Sequence, residues 1–354
     1  MIRPIRLTDL PELRHRPYSR IALFNELTLA RAHRPLLFAT RCSLPLSSDI
    51  QTLVYRDRGL RGYLQSRCRP FTPEADLVYL AAQPLRRDQR QPTDPDLWYR
   101  LLQECISRLG ARAIERIYAP LPSNSEVLEV FRQLGFQPYA HRQVWRALTP
   151  EVAEGSALIA LRPQQRRDPH AIQRLYESIT PTIVQRAEMR NSRSWQLPVV
   201  RSRATGVRQR SWVLGRDGRD DVLRAALHLW QGASAAVFTL LIDPEERNMA
   251  SSVLRFGLSQ LSASHQGAVY VLLPEYHSEL GSDLSEIGFE CLGDQLLLVK
   301  STVVPLRKPL LRPVLEGGLE VVRPSVTSSL HPAALVTPGA PIASGPGAEP
   351  APRG

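Results

Sequence analysis

The feature that most restricts this chain is that it resembles itself at about half its length. Arg3-Pro4-x-x-x-x-Asp9 recurs as Arg162-Pro163-x-x-x-x-Asp168, an offset of 159. Each copy runs into an apolar helical stretch, with Leu10 and Leu13 in one and Ile172, Leu175 and Tyr176 in the other. Toward the end of each half, Val127, Phe131, Leu134, Gly135 and Phe136 match Leu280, Leu284, Ile287, Gly288 and Phe289 at an offset of 153. The first three residues of each set stand at i, i+4 and i+7, one face of a short helix. Glycine ends such a helix because it enters the left-handed region without a side-chain clash, and the phenylalanine beyond it packs back on the last turn. Self-similarity over this span predicts one fold present twice.

Between these landmarks both halves keep one order. In the first, strands are predicted at 52–55, 60–66 and 76–81, a helix on the stripe Trp98, Leu102, Cys105 and Leu109, and strands near 113–118 and 142–148. Asp94 and Pro95 are suited to that helix's N-cap and first position. In the second, the corresponding strands are 211–214, 223–230, 235–242, 268–273 and 295–299, with a helix on Ala250, Leu254, Leu258 and Leu261. The expected fold class is therefore α/β, a mixed α+β sheet flanked by helices, built twice. We expect domains at 1–150 and 156–302, with the junction near Gly155-Ser156. Residues 303–354, rich in Pro, Ser and Ala, bury too little to offset ordering entropy and are expected to be a disordered tail.

Composition closes off several function classes. The amino terminus is charged where a secretory signal is apolar, and the longest nearly apolar stretch, 233–242, is about half of the roughly 20 residues a membrane helix takes. No membrane partner and a cytoplasmic location are expected. Cys42, Cys68, Cys105 and Cys291 form no CxxC pair, and the histidines show no ligand spacing, so no metal is expected. The net charge of +11 comes from arginines spread over the whole length, with Lys300 and Lys308 the only lysines. Such a spread reads as coding bias and does not by itself call for a nucleic-acid partner.

The element order, with an opening Arg-Pro-x-x-x-x-Asp and a helix closing on apolar-Gly-Phe, resembles the GNAT superfamily of N-acetyltransferases, and the likeness covers both halves. It implies two tandem acyl-CoA N-acyltransferase-like domains, acetyl-CoA as cosubstrate and an amine acceptor, either a small molecule or a protein. A monomer is expected, since two linked halves can reproduce the pairing that single-domain relatives achieve as dimers. In that family a Pro-x-x-Arg/Gln-x-x-Gly-x-Gly/Ala segment after the fourth strand wraps the coenzyme's pyrophosphate, with glycines admitting the phosphates to the backbone and the helix N-terminus adding a favourable dipole. The second half is similar at Pro244 to Ser252, after the strand ending Leu241-Ile242. The resemblance thus implies coenzyme contacts at Leu241, Ile242, Arg247, Asn248, Met249, Ala250 and Ser252, with Ala250 and Ser252 in the glycine positions. In the first half Arg90 and Pro92 take those positions, Asp94 and Asp96 add negative charge, and coenzyme binding is not expected.

Many GNAT enzymes protonate the departing thiolate with a tyrosine, and this chain has Phe131 and Leu284 there. Tyr276, Ser278 and Glu275, just past a strand end, are candidate substitutes, against a plain solvated loop. The arginines at 201, 203, 208 and 210 fall where the family places acceptor loops, and a solvated loop is the competing explanation. Trp195 and Trp212 are expected to be core residues and His228 a structural histidine. Two functions stay open: an N-acetyltransferase, or a catalytically inactive GNAT-like binding or interaction module.

Overall fold

The computed structural model describes residues 2–11, 19–31, 39, 49–56, 60–69, 72–84, 95–148, 159, 161–197, 206–216, 219–261, 265 and 267–302. The expected tail at 303–354, and Arg90, Pro92, Asp94, Arg201 and Arg203, lie outside them.

The repeat is visible in local chemistry. Arg3 forms a two-pronged ion pair with Asp9 (2.7 and 2.8 Å), and the Arg6 N–H also donates to that carboxylate (2.8 Å). Arg162, Asp168 and the Gln165 N–H reproduce the arrangement at 2.7, 3.0 and 2.6 Å. Both carboxylates are buried, and their pKa values are lowered: burial opposes the charge, but the arginine and amide donors outweigh it. Gly135 and Gly288 are both left-handed, at φ +80° and +89°, and the Phe136 and Phe289 N–H groups return to the Phe131 and Leu284 carbonyls (3.0 and 2.9 Å). This is the predicted helix ending, realised twice.

In chain order the first half comprises β1 (Ile2–Pro4), β2 (Ser19–Ala22), α1 (Glu26–Arg31), β3 (Ile50–Arg56), β4 (Leu60–Cys68), β5 (Glu74–Pro84), α2 (Pro95–Ala111), β6 (Arg116–Pro122), α3 (Leu128–Gln133) and β7 (Gln137–Ala147). The second comprises β8 (Arg162–Pro163), α4 (Pro169–Ile179), α5 (Thr182–Glu188), β9 (Arg208–Arg216), β10 (Arg219–Gln231), β11 (Ala235–Ile242), α6 (Ala250–Ser259), β12 (Ala268–Pro274), α7 (Gly281–Glu286) and β13 (Glu290–Ser301). Short 3-10 turns at Pro244–Met249 and Glu275–Leu280 precede α6 and α7. The predicted mixed α/β architecture is present, with most strands a few residues longer than expected.

The strands form one mixed sheet in the order β1-β3-β4-β5-β6-β13-β7-β12-β11-β10-β9-β8, with β2 added to β5. Its centre is an exchange. The last strand of the second half, β13, pairs with β6 of the first, while the last strand of the first half, β7, pairs with β12 of the second. The two exchanged strands pair antiparallel with each other, Arg142 opposite Gln295. Those positions are related by 295 − 142 = 153, the repeat offset itself, so the halves meet about a pseudo-two-fold axis here. Each core is completed by the other half. Leu296 and Leu298 belong to the cluster of α2, Leu53 and Leu64, while Trp145 and Ala147 belong to that of α6, Leu227 and Phe238. Burying each of the two leucines contributes about 1.5–3 kcal/mol, and Trp145 buries more surface still, so both halves rely on the exchange for part of their stability.

Candidate functional site

Two places in the sheet open between parallel strands. β5 and β6 pair only from Glu74↔Arg116 to Asp76↔Tyr118, and β11 and β12 only from Ala235↔Ala268 to Phe238↔Val271. Beyond those points the outer neighbours draw the strands apart, since β11 stays on β10 as far as Ile242 and β12 stays on β7 as far as Pro274. Unpaired sheet edges seek partners. In the first half the chain supplies one: β2 lies on the vacated edge of β5, Ser19–Ala22 against Ala82–Tyr79, and the Leu23 N–H continues to the Val78 carbonyl (3.3 Å). In the second half, Pro181 stands at the 159 offset from Ala22 and has no N–H to give a ladder. The β11/β12 split has no strand across it among the described residues.

Beneath that split is a cavity of about 820 Å³ walled by both halves. Leu241, Leu272, Pro274 and Tyr276 edge it on the split side, and Arg69, Glu74 and Tyr118 form its far end. Tyr139 and Arg142 of β7 and Tyr176, Glu188 and Arg190 lie between. Its roof is reciprocal: α1 of the first half packs Leu27 and Ala30 with Val237 and Leu272 of the second. The end of α5 in turn accepts the Tyr118 hydroxyl at the Ala187 and Glu188 carbonyls (3.1 and 3.2 Å).

The charges inside are largely paired. Arg69 donates to Asp76 (2.7 Å) and Glu74 (3.0 Å) and covers the Tyr118 ring at 4.3 Å. Arg190 pairs with Glu188 (2.8 Å), which also accepts the Tyr176 hydroxyl (2.8 Å). Arg142 holds the Phe24 carbonyl (2.7 Å), Gln295 (2.9 Å) and Glu26 (3.4 Å), tying α1 to both exchanged strands. Burial opposes charge on Glu26, yet Arg142, Arg190 and Arg69 together keep its pKa below the ordinary value. Burial likewise opposes charge on Arg69, and Asp76 and Glu74 more than restore it.

Phe131 and Leu284, at the family's tyrosine position, are fully buried in the two cores. Tyr276 does reach the cavity, and burial, with Glu188 nearby, pushes its pKa up to about 12. It is a proton donor at neutral pH and not a base. Glu275 and Ser278 are exposed, outside the lining. Arg210 turns away from the cavity to Gln231 (2.7 Å), the Gln260 carbonyl (2.8 Å) and the Trp212 ring (5.4 Å), so no acceptor role falls to it. Trp195 and Trp212 are buried as expected, although Trp195 also borders the cavity. His228 is buried and stacked on Trp195 (5.4 Å).

Leu241 and Ile242 end β11 at the split, buried. Past them Asp243 caps the turn, accepting from the Glu245 N–H (3.1 Å), and the turn runs through right-handed Met249 straight into α6. Asn248 is exposed, Met249 and Ser252 are half-buried and Ala250 is fully buried, its N–H given to the Arg247 carbonyl. Arg247 pairs with Glu279 (3.0 Å), and Ser251 donates to Asp283 (2.6 Å). A diphosphate arriving here must take Arg247 from Glu279. That pair is partly exposed and worth at most about 1 kcal/mol, so exchange is energetically open. Among the described residues no strand covers this edge of β11, and an uncovered edge fits an extended amide-bearing arm such as pantetheine, while the Arg247–Glu279 pair can yield to a diphosphate.

Among the described residues no group of three His, Cys, Asp or Glu side chains is placed to hold a metal, and no helix is long and apolar enough to cross a membrane.

No family model and no curated protein matches the chain in sequence. Solved structures do match. A tandem GNAT protein from the clavulanic acid biosynthesis pathway, solved without AcCoA, is similar at a TM-score of 0.50 and 15% identity, over 86% of this chain and 99% of that one. A GCN5-related N-acetyltransferase from Sphaerobacter thermophilus is similar at a TM-score of 0.48 and 13% identity, over 85% of this chain and 95% of that one. The first likeness shows the fold: a mixed α/β GNAT architecture in tandem.

Proposed function

We propose, from a tandem GNAT fold in which one of the two splits has no strand across it among the described residues, that the protein is an N-acyltransferase moving an acetyl group from acetyl-CoA to an amine. The observation that supports this is the asymmetry: the first half fills its split with β2, whereas among the described residues no strand lies on the edge of β11 that β12 leaves above the cavity. Bound acetyl-CoA supplies an activated thioester. Leu241 and Ile242 would flank its arm, and Arg247, Asn248, Met249, Ala250 and Ser252 would meet its diphosphate. The cavity orients the amine, a small molecule or a protein side chain, so that the effective concentration at the split replaces chance encounter. The Tyr276 hydroxyl is the group suited to give a proton on the sulfur side. One chain contains both halves of the site, in keeping with a monomer. Cys68, Cys105 and Cys291 are free thiols, in keeping with the cytoplasm.

Isothermal titration with acetyl-CoA tests this. Arg247→Glu is expected to weaken binding by about ten- to a hundredfold, the roughly 1.5–3 kcal/mol of a charge-assisted contact. Glu279→Gln, which frees Arg247, is expected to strengthen it. No heat at millimolar coenzyme ends the proposal.

A second reading, a GNAT-fold binding module without chemistry, is favoured by the turn itself, where Glu279 already satisfies Arg247 and the Ala250 N–H is already taken. Coenzyme-dependent acetylation of any member of a broad amine panel removes it.

A further inference from the structure

The turn Glu275–Leu280 buries a histidine whose ring is left without hydrogen bonds. His277 is 2% exposed, and among the described residues neither of its ring nitrogens has a hydrogen-bond partner. Glu279 Oε1 lies 3.9 Å from Nδ1, too far for a hydrogen bond. That same oxygen takes Arg247 Nε at 3.0 Å. Buried polar groups are nearly always satisfied, so a bare imidazole beside a carboxylate needs a reason. The reason here is that the carboxylate is already engaged by Arg247.

The elements packed on this turn are β7, β12 and α7, and their charges are engaged elsewhere or exposed. Arg142 and Arg146 of β7 pair with Glu26 (3.4 Å) and Glu290 (3.9 Å), and His141 is exposed at the cavity. β12 has no charged residue, Asp283 of α7 accepts from Ser251 (2.6 Å), and Glu286 and Glu275 are exposed. On the turn that carries Arg247, Glu246 holds Arg224 (3.3 Å) and Glu245 is exposed. The Tyr276 ring stands 5.0 Å from that of His277 and stays protonated. Glu279 and Arg247 are thus the charges that act on His277. Burial pulls its pKa below the ordinary histidine value, Glu279 opposes this and Arg247 adds to it, so the ring is neutral while Arg247 holds Glu279.

We propose that Glu279 is shared between Arg247 and His277, so that an anion drawing Arg247 away hands Glu279 to His277 and a proton from solvent settles on the imidazole. His277 is then a positioning residue: it acts on the anion through Glu279, by giving that carboxylate a second place to go. That the anion is a coenzyme diphosphate rests on the N-acyltransferase reading; the sharing does not. The exchange asks for little movement, closing 3.9 Å to about 2.8 Å. The Ser251–Asp283 bond, which spans the same interval (283 − 251 = 279 − 247 = 32), still ties the two turns when Arg247 leaves. With the anion bound the His277 pKa is raised, so binding is tightest below that value and weakens as pH rises through it, each unit being worth about tenfold in affinity.

The first arm of the test needs no ligand. The His277 ring signals of the full chain are followed by NMR through a pH titration, identified by their loss in His277→Gln or His277→Leu, whichever circular dichroism shows folded. Arg247→Gln leaves Glu279 without its arginine and is expected to raise the His277 value by about one unit. Adding Glu279→Gln is expected to abolish that rise, which separates transfer of the carboxylate from the mere loss of a positive charge. The second arm titrates the full chain with acetyl-CoA by calorimetry at pH 6.5 in buffers of different ionisation enthalpy. Wild type should take up about half a proton more than the folded His277 variant. Between pH 7.5 and 6 its affinity should rise about three- to tenfold more than that variant's, the coenzyme's own phosphates titrating alike in both. A ring that only fills the core would move neither readout. A His277 value unmoved by Arg247→Gln, an equal rise with Glu279→Gln present, or coenzyme binding with the same proton uptake in wild type and variant overturns the proposal. The expected rise in a protein that gives no heat with acetyl-CoA supports the sharing of Glu279 and sinks only the N-acyltransferase reading.

Discussion

Leu298 lies in the last described strand of the second half, yet it is 1% exposed in the core of the first, opposite Ala119 of β6 and Pro138 of β7. Leu298→Ala removes its buried methyl groups and leaves a cavity against α2, at a cost of about 2–5 kcal/mol. Taking about 3 kcal/mol, opening of the first-half core becomes about a hundredfold more frequent. Hydrogen exchange measured by mass spectrometry on peptides covering Pro95–Ala111 and Arg116–Pro122 should show protection falling by about that factor. The mirror variant Trp145→Ala, in β7, should do the same to Ala250–Ser259 and Ala268–Pro274. If Leu298→Ala leaves α2 and β6 at wild-type protection while loosening only second-half segments, the strand exchange is not how these cores are closed.

Gly232 approaches α1 so closely that an added Cβ would collide with the Ala30 carbonyl oxygen, so Gly232→Ala should cost about 1–3 kcal/mol in a urea melt, and a cost under about 0.5 kcal/mol contradicts the docking of α1 on the second half. His228 is pulled from 6.5 to about 4 by burial and Arg190. The unfolded chain therefore binds the proton more readily between those values, and the stability this group contributes is present above about pH 6.5 and lost as pH falls toward 4. The loss is about 3 kcal/mol, to be read from urea midpoints at pH 4.5, 5.5 and 7. A slope shared equally by His228→Leu refutes that assignment.

What could be read from the sequence was local. Arg3 and Asp9, like Arg162 and Asp168, pair across only six residues of chain, and Gly135 and Gly288 impose their helix endings on their own neighbours, so the duplication shows in residue patterns alone. The partner of a strand is not local. β7 and β13 carry the apolar content of ordinary closing strands, and nothing in that content says which half they close. β2 escaped notice because its four residues earn their ladder only from the vacated edge of β5. At the site, Leu241, Ile242 and Arg247 could be singled out from a strand followed by Pro-x-x-Arg. Glu279, which occupies Arg247, is 279 − 247 = 32 residues further on. The cavity's acids were harder still, although Glu74 and Asp76 leave a trace as alternate acidic residues opening an otherwise apolar strand.

Covalent joining of the halves changes what each is free to become. Two separate copies trading strands would be bound by a dissociation constant, and dilution would pull them apart. Tethered, they face one another at a fixed effective concentration regardless of how much protein is present. Identical copies must also share every mutation, whereas a duplicated gene lets one copy drift. Here one half closes its split with β2 while the other has no strand across its split among the described residues, an asymmetry that no symmetric pair can reach.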